Sequence, residues 1–333
     1  MRRAISTEEI QAVLAHYEAG SVVPPPEPGG GTANSNLKVS TTCGTYFLKR
    51  RNPKYAQESF VAFDHALMEH MAAYRVGTPL AVLTREGRCW LRLGENVYEL
   101  FPYQHGGPHD RHSVAQIASA GRALANYHRA ARSFSPPPGK EWPRYDDPRL
   151  IRAGIEAIIT DLERQLSVDD MGYLMNEIAL LERELPDDRY DTLPKLVVHG
   201  DYHPGNIKFT NDDVSGIFDL DWATLQPRLR DLADGLFLFA GERESDIDDA
   251  NIYSLTQTWQ PSLERARAFM ACYLESETLG EEESDALPLF IRARWLCCRV
   301  AGMAKVAPER RIEYLVCGLL SPLRALDTMN ALF

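Results

Sequence analysis

Residues 196–223 read LVVHGDYHPGNIKFTNDDVSGIFDLDWA, and the fold is decided there. Leu196-Val197-Val198 is a short apolar run that predicts a strand, feeding a loop that carries His199, Asp201, His203 and Asn206. Ile207–Thr210 and Val214–Leu220 predict two more strands, joined by a turn at Asn211-Asp212-Asp213, residue types that suit turn backbones. The second of them delivers Asp219 and Asp221. One strand–loop–hairpin unit thus gathers Asp201, Asn206 and Asp219, and three converging oxygen-bearing side chains suit magnesium and phosphate chemistry. The spacing His199-x-Asp201-x-His203, with Asp219 as a bridge, also reads as a metal triplet, so a metal-dependent hydrolase is a competing expectation.

Working outward, residues 6–19 predict a helix with Ser6 as N-cap and Glu9 closing a capping box. The stretch SVVPPPEPGGG, residues 21–31, is expected to break any regular element. Residues 36–41 and 45–50 alternate apolar and polar around Cys43-Gly44, which predicts a β-hairpin. Phe60, Phe63, Leu67, Met71 and Tyr74 recur at helical spacing within 55–76, and strand-like pieces follow near 80–84, 88–93 and 97–101. Past Pro102 the periodicity turns helical, at 112–131, 149–166, 168–185 and from about 230 onward. The expectation is an α+β fold in two lobes: a small β-rich N-lobe over 1–102, and a larger, mainly helical C-lobe over 103–333 that holds the 196–223 unit.

Length and charge narrow the function classes. At 333 residues the chain suits two lobes better than one core. Its net charge of −11 argues against a nucleic-acid partner, which demands a basic face. The six cysteines lack CxxC spacing, so neither a zinc site nor a disulfide framework is expected. No apolar run reaches the roughly 18 residues of a membrane span, and a cytoplasmic protein with no membrane partner is the default. Oligomeric state is not legible.

The run His199-Gly200-Asp201-x-x-x-x-Asn206, followed by Ile217-Phe218-Asp219 and by Asp231-Leu232-Ala233, resembles the catalytic and metal-binding loops of the aminoglycoside phosphotransferase/choline kinase superfamily, relatives of protein kinases. The helix ending LANYH at 124–128 and the tail LGEEESDALPLFIRARWLCCRVA extend the likeness, the tail toward the bacterial homoserine kinase-like branch. The resemblance implies a two-lobed protein-kinase-like fold. It also implies ATP- and Mg2+-dependent phosphoryl transfer to a hydroxyl of a small molecule. Asp201 would take or orient the acceptor proton, while Asn206 and Asp219 would hold magnesium. Lys49 would pair with the α- and β-phosphates, fixed by Asp64 of FDHALMEH where the family usually has a glutamate; Glu58 and Glu69 are the substitutes. Gly30, Gly31, Thr32, Asn34 and Ser35 would form the nucleotide-facing loop, although no clean GxGxxG is present. Backbone groups of Glu99 and Phe101 would meet adenine at the hinge.

Among acceptors, an amino acid, amino alcohol or sugar-like alcohol fits, with a homoserine-like molecule favoured and an aminoglycoside antibiotic as the alternative. A catalytically silent nucleotide-binding module is the third reading. The acidic run 242–249 is expected to be solvated, or in part to line an acceptor pocket for a cation. Arg50 and Arg51 are expected at the surface.

Overall fold

The computed structural model describes residues 4–30, 34–248 and 251–327. Strands β1 (Val22–Pro28), β2 (Ser35–Thr41), β3 (Gly44–Arg50), β4 (Leu91–Leu93) and β5 (Asn96–Pro102) form one antiparallel sheet in the order β1-β2-β3-β5-β4. The hairpin forms as expected, with Thr41 paired to Gly44 across it. The expected break at 21–31 does not: Val22–Pro28 is a strand despite its four prolines. It lies at the sheet's edge and its register with β2 shifts between Val23 and Glu27, the two settings in which a missing N–H disturbs no ladder. Residues 80–84 form no strand, although Val82 N–H donates to Leu100 C=O.

Alternation gives the sheet two working faces. Val39, Leu48, Tyr98 and Leu100 point one way and bury against helix α1 (Thr7–Leu14) through Ile10, Val13 and Leu14. Ser6 caps α1 by accepting from Glu9 N–H. The Glu9 carboxylate, held at the Ser6 backbone, also reaches across to Arg50, at 2.7 Å, and to Tyr98 Oη, at 2.6 Å. The opposite face carries Phe47, Lys49, Glu99 and Phe101 toward helix α2 (Glu58–Ala73) and the second lobe.

That lobe is built on α3 (Val114–Ala131), capped by Ser113, with α4 (Pro148–Glu156), α5 (Val168–Glu184), α6 (Leu229–Leu238), α7 (Leu263–Leu274) and α8 (Glu281–Gly302) around it. Helices α3 and α7 lie so close that a Cβ at Gly121 would sit 2.1 Å from the Phe269 carbonyl oxygen. Helix α8 packs on α6 and α4. Into this frame are set β6 (Lys195–Val198) paired with β9 (Thr224–Pro227), and β7 (Ile207–Thr210) paired with β8 (Asp213–Ile217). A small ribbon, β10 (Gly241–Arg243) with β11 (Trp259–Pro261), interrupts the helical C-terminal half, where periodicity gave no strand. The lobes share one core: Phe63, Leu67 and Met71 of α2 pack with Ile117, Leu124 and Tyr127 of α3. No helix among the described residues is long and apolar enough to cross a membrane.

Candidate active site between the lobes

The unit 196–223 folds as a strand, a loop and a hairpin, and its loop is pinned from below. Asp231, fully buried at the start of α6, accepts from His199 N–H at 2.7 Å and Gly200 N–H at 2.8 Å, and lies 3.1 Å from His128 Nε2. Burial opposes ionisation of Asp231, but His128 and the loop amides outweigh it and lower its pKa. Gly200 turns here with φ +79°, and a Cβ would meet the Trp222 carbonyl oxygen at 2.4 Å, so only glycine fits. His199 lies buried with Nε2 2.9 Å from Phe218 C=O and Nδ1 accepting from Asp201 N–H. Both ring nitrogens are engaged within the loop, so the His199-x-Asp201-x-His203 triplet does not assemble and the hydrolase reading loses its motif.

Asp201 leaves the loop with its side chain 30% exposed. Asn206 Nδ2 donates to the Asp201 main-chain oxygen at 3.0 Å and to Oδ2 at 3.3 Å. His203 Nε2 is also 3.3 Å from Oδ2. Desolvation raises the Asp201 carboxyl, but His203, Arg294 and His199 together hold it well below the usual carboxylate range. Phe218 N–H donates to Asn206 C=O, which sets Asp219 beside this pair. Asp219 adopts φ +62°, a left-handed conformation that costs a non-glycine residue about 1–3 kcal/mol and persists only where the surroundings enforce it.

Lys49 comes to this cluster from β3. Its Nζ lies 2.8 Å from Asp221 Oδ1 and 3.2 Å from Asp219 Oδ1. Burial pulls the ammonium pKa down, yet Asp219 and Asp221 outweigh it and the net shift is upward. Asp219 moves the other way: burial first, then the negative neighbours Asp221 and Asp201, raise its carboxyl against the pull of Lys49. Two carboxylates thus face one lysine, with Asp219 32% open to the cleft.

Several expectations need correction. Asp64 does not fix Lys49. Arg51, buried rather than at the surface, reaches Asp64 Oδ2 at 2.6 Å and grips Glu99 at 2.5 and 2.8 Å. Lys140 also pairs with Asp64 and donates to Leu220 C=O. The longer guanidinium, two residues along the same strand face, takes the carboxylate that an aspartate is too short to offer Lys49. Asn34 is not turned to a nucleotide: it donates to Asp221 Oδ2 at 2.7 Å and accepts from Asn52 N–H at 2.9 Å, bridging the lobes. Ser35 lies on the α1 face of the sheet, accepting from Arg50. Gly30, at φ +76°, accepts from Asn36 Nδ2, while Gly31 and Thr32 lie outside the described residues. Glu99 and Phe101 are not hinge contacts. Arg51 N–H to Val97 C=O and Tyr103 N–H to Thr45 C=O fix the phase of the β3–β5 ladder, so Lys49/Glu99 and Phe47/Phe101 are the pairs that exchange both backbone bonds. Their main-chain groups are already taken.

Sequence reasoning missed a second set of residues. Arg294 of α8 places Nη2 3.8 Å from Asp201 Oδ1 and Nε 2.5 Å from Asp234 Oδ1. Arg230 Nε lies 2.9 Å from Asp146 Oδ2 and Nη1 2.5 Å from Asp234 Oδ2, while Nη2 donates to Gly200 C=O at 3.0 Å. The signal was available: FIRARW puts arginines inside an apolar helical run, where a charge needs a partner. Lys140 and Trp142 come from the loop SPPPGKEWP, which reads as a mere breaker. There Trp142 joins Tyr55 and Trp222 in an aromatic cluster over which Lys54 lies, 4.6–5.3 Å from the three ring centres.

Known proteins resemble this chain in sequence and in fold. The sequence pattern of the phosphotransferase enzyme family matches residues 26–269. The homoserine kinase of Parvibaculum lavamentivorans is 29% identical, covering 93% of this chain and 92% of its own, and that of Chelativorans sp. is 31% identical over 86% and 82%. Among solved structures, a microcompartment-associated aminopropanol kinase superposes with a TM-score of 0.68 at 17% identity, covering 97% of this chain and 98% of its own. A spectinomycin phosphotransferase in complex with ADP and spectinomycin gives 0.62 at 15% identity, covering 98% and 100%. Matched in family pattern over most of its length and in its protein-kinase-like two-lobed architecture, the chain belongs to the phosphotransferase enzyme family and is a small-molecule kinase.

Proposed function

We propose that the chain transfers the γ-phosphoryl group of ATP to the hydroxyl of a small amino-acid-like alcohol, with homoserine as the first acceptor to test. The observation that carries this reading is the meeting of Lys49, from one lobe, with Asp219 and Asp221 beside Asp201 and Asn206, from the other. The homoserine kinases that share roughly three residues in ten over most of both chains support the acceptor.

A divalent cation fits the residues present. Asn206 uses its Nδ2 on Asp201, leaving an amide oxygen for a cation, and the surplus of carboxylate over lysine at Asp219 calls for positive charge. Asp219 and Asn206 would hold Mg2+, which would neutralise charge on the phosphate oxygens. Lys49 adds a fixed cation toward the phosphates, exchanging its carboxylate contacts for phosphate ones. Asp201, ionised at neutral pH, orients the acceptor hydroxyl and receives its proton as the new O–P bond forms and the bond from Pγ to the β-phosphate oxygen breaks. ADP leaves and the proton passes to solvent.

ADP release measured with Mg-ATP and a panel of L-homoserine, aminopropanols, spectinomycin and kanamycin tests the reading. Turnover with homoserine above the others is expected. Turnover confined to the antibiotics would replace the acceptor class, and none with any alcohol would overturn the reading.

A further inference from the structure

We infer that the irregular segment 139–145 is a clasp on the turn that follows Asp219, and that Lys140, Trp142 and Tyr145 are positioning residues that set Asp219 for a divalent cation. The inference rests on the kinase reading above, in which Asp219 and Asn206 would hold that cation.

Asp219 needs a constraint from outside. It stands at φ +62° as the N-terminal cap residue of a 3-10 turn, Leu220–Trp222, and its side chain makes no capping bond to that turn. A left-handed aspartate persists only where its surroundings enforce it. The carbonyls of the turn show what enforces it here. Lys140 Nζ donates to Leu220 C=O at 3.0 Å, Trp142 Nε1 to Asp221 C=O at 3.3 Å and Tyr145 Oη to Trp222 C=O at 2.7 Å. Consecutive main-chain oxygens are thus taken, in order, by donors from one stretch of chain. Leu220 C=O also takes Ala223 N–H at 2.9 Å, which closes the turn. Asp221 is fixed at both ends, because its carboxylate meets Lys49 and Asn34.

The stretch that supplies these donors is itself anchored in both lobes. The Lys140 side chain has no exposed surface and pairs with Asp64 of α2. Ser59, in the first turn of α2, donates to Gly139 C=O at 3.1 Å, and Phe60 meets Trp142 edge-on with ring centres 5.4 Å apart. From the other side Gln226 Nε2, buried on β9, donates to the carbonyls of Trp142 and Pro143 at 3.4 and 3.3 Å. A turn held this way is already ordered when a cation arrives, so binding does not have to order it. Side chains that fix a metal ligand from outside tune its affinity without touching the metal.

Trp142→Phe and Tyr145→Phe each keep an aromatic ring and remove the donor, and the double variant removes both bonds. Mn2+ binding to the enzyme–ADP complex is read by electron paramagnetic resonance. ADP affinity with and without Mn2+ is read by calorimetry, alongside kcat against Mg2+ concentration. The double variant should need about tenfold more Mn2+ and Mg2+ for half-saturation, while metal-free ADP affinity stays within about twofold of wild type. Each single variant should fall between. Unchanged Mn2+ affinity in the double variant overturns the clasp and leaves the kinase reading intact. An equal loss of ADP affinity with and without Mn2+ also overturns it, since the segment would then brace the fold and not the cation site. A wild type that binds ADP no better with Mn2+ and turns over no alcohol overturns both.

Discussion

Two ion networks lie side by side between the lobes, each built of carboxylates facing basic side chains and sharing Asp221. One joins Lys49, Asp219, Asp221 and Asp201; the other joins Arg51, Asp64, Glu99, His65 and Lys140. The first is open, with Asp201 and Asp219 about a third exposed. The second is sealed, with no exposed surface on the side chains of Arg51, Asp64, Glu99 or Lys140. An open network keeps unpaired lone pairs and can exchange partners with a substrate. A sealed one has matched every charge inside the protein, so removing a member strands its partners. Exposure, not composition, separates the working cluster from its scaffold.

That contrast orders the expected effects. Asp219→Asn should lower kcat by about 10³-fold or more, or some 4 kcal/mol in the barrier, while leaving thermal stability of the free enzyme close to wild type. Relief of carboxylate repulsion at Asp219, whose pKa is raised, points the same way. Arg51→Met should do the reverse, destabilising by about 3–5 kcal/mol in urea titration because Asp64 and Glu99 lose their guanidinium. Were Arg51→Met to fold normally and lose only turnover, the division between the two networks would fail.

Asp231→Asn probes the floor that both stand on. An amide oxygen cannot replace a carboxylate that serves two loop N–H groups and faces His128, and a loss of about 2 kcal/mol is expected, with a rise in hydrogen exchange at His199 and Gly200. The smallest effect is one of pH. Glu99 is buried, which opposes its charge, but Arg51 and His65 hold its pKa well below the usual value. Its contribution is complete above the unfolded-chain pKa of about 4.3 and is lost as pH falls through that value toward the folded one. Urea midpoints should therefore drop between pH 6 and pH 3.5, and a midpoint that rises over this window would contradict the sealed-network account.

The open network was legible because its members lie in one local unit. Asp201, Asn206 and Asp219 are eighteen residues apart at most, and hairpin geometry brings them together. Lys49 is legible as a strand residue, but its partners are not, since they depend on how α2 sits over the sheet. Arg51 shows why: strand alternation puts it on the face of Lys49, yet only the packed core shows that this face is buried. Asp64 then goes to the longer cation. The Glu99 and Phe101 assignment failed for a related reason, because the phase of a ladder is set by its ends, at Arg51 and Tyr103, and not by residue type. The proline-rich strand β1 was hidden because only an edge position makes such a strand possible, and edge position is a property of the assembled sheet. Arg294 reaches Asp234 through the packing of α8 on α6, a contact between residues 60 apart.

The most direct test is the rate of phosphoryl transfer from Mg-ATP to L-homoserine by wild type and Asp201→Asn, followed by phosphorus NMR, with nucleotide affinity measured on the same samples. The account predicts an O-phosphorylated amino acid from wild type and a fall of about 10³-fold or more in Asp201→Asn, with ATP affinity within a few-fold of wild type. Equal rates from the two proteins would contradict it.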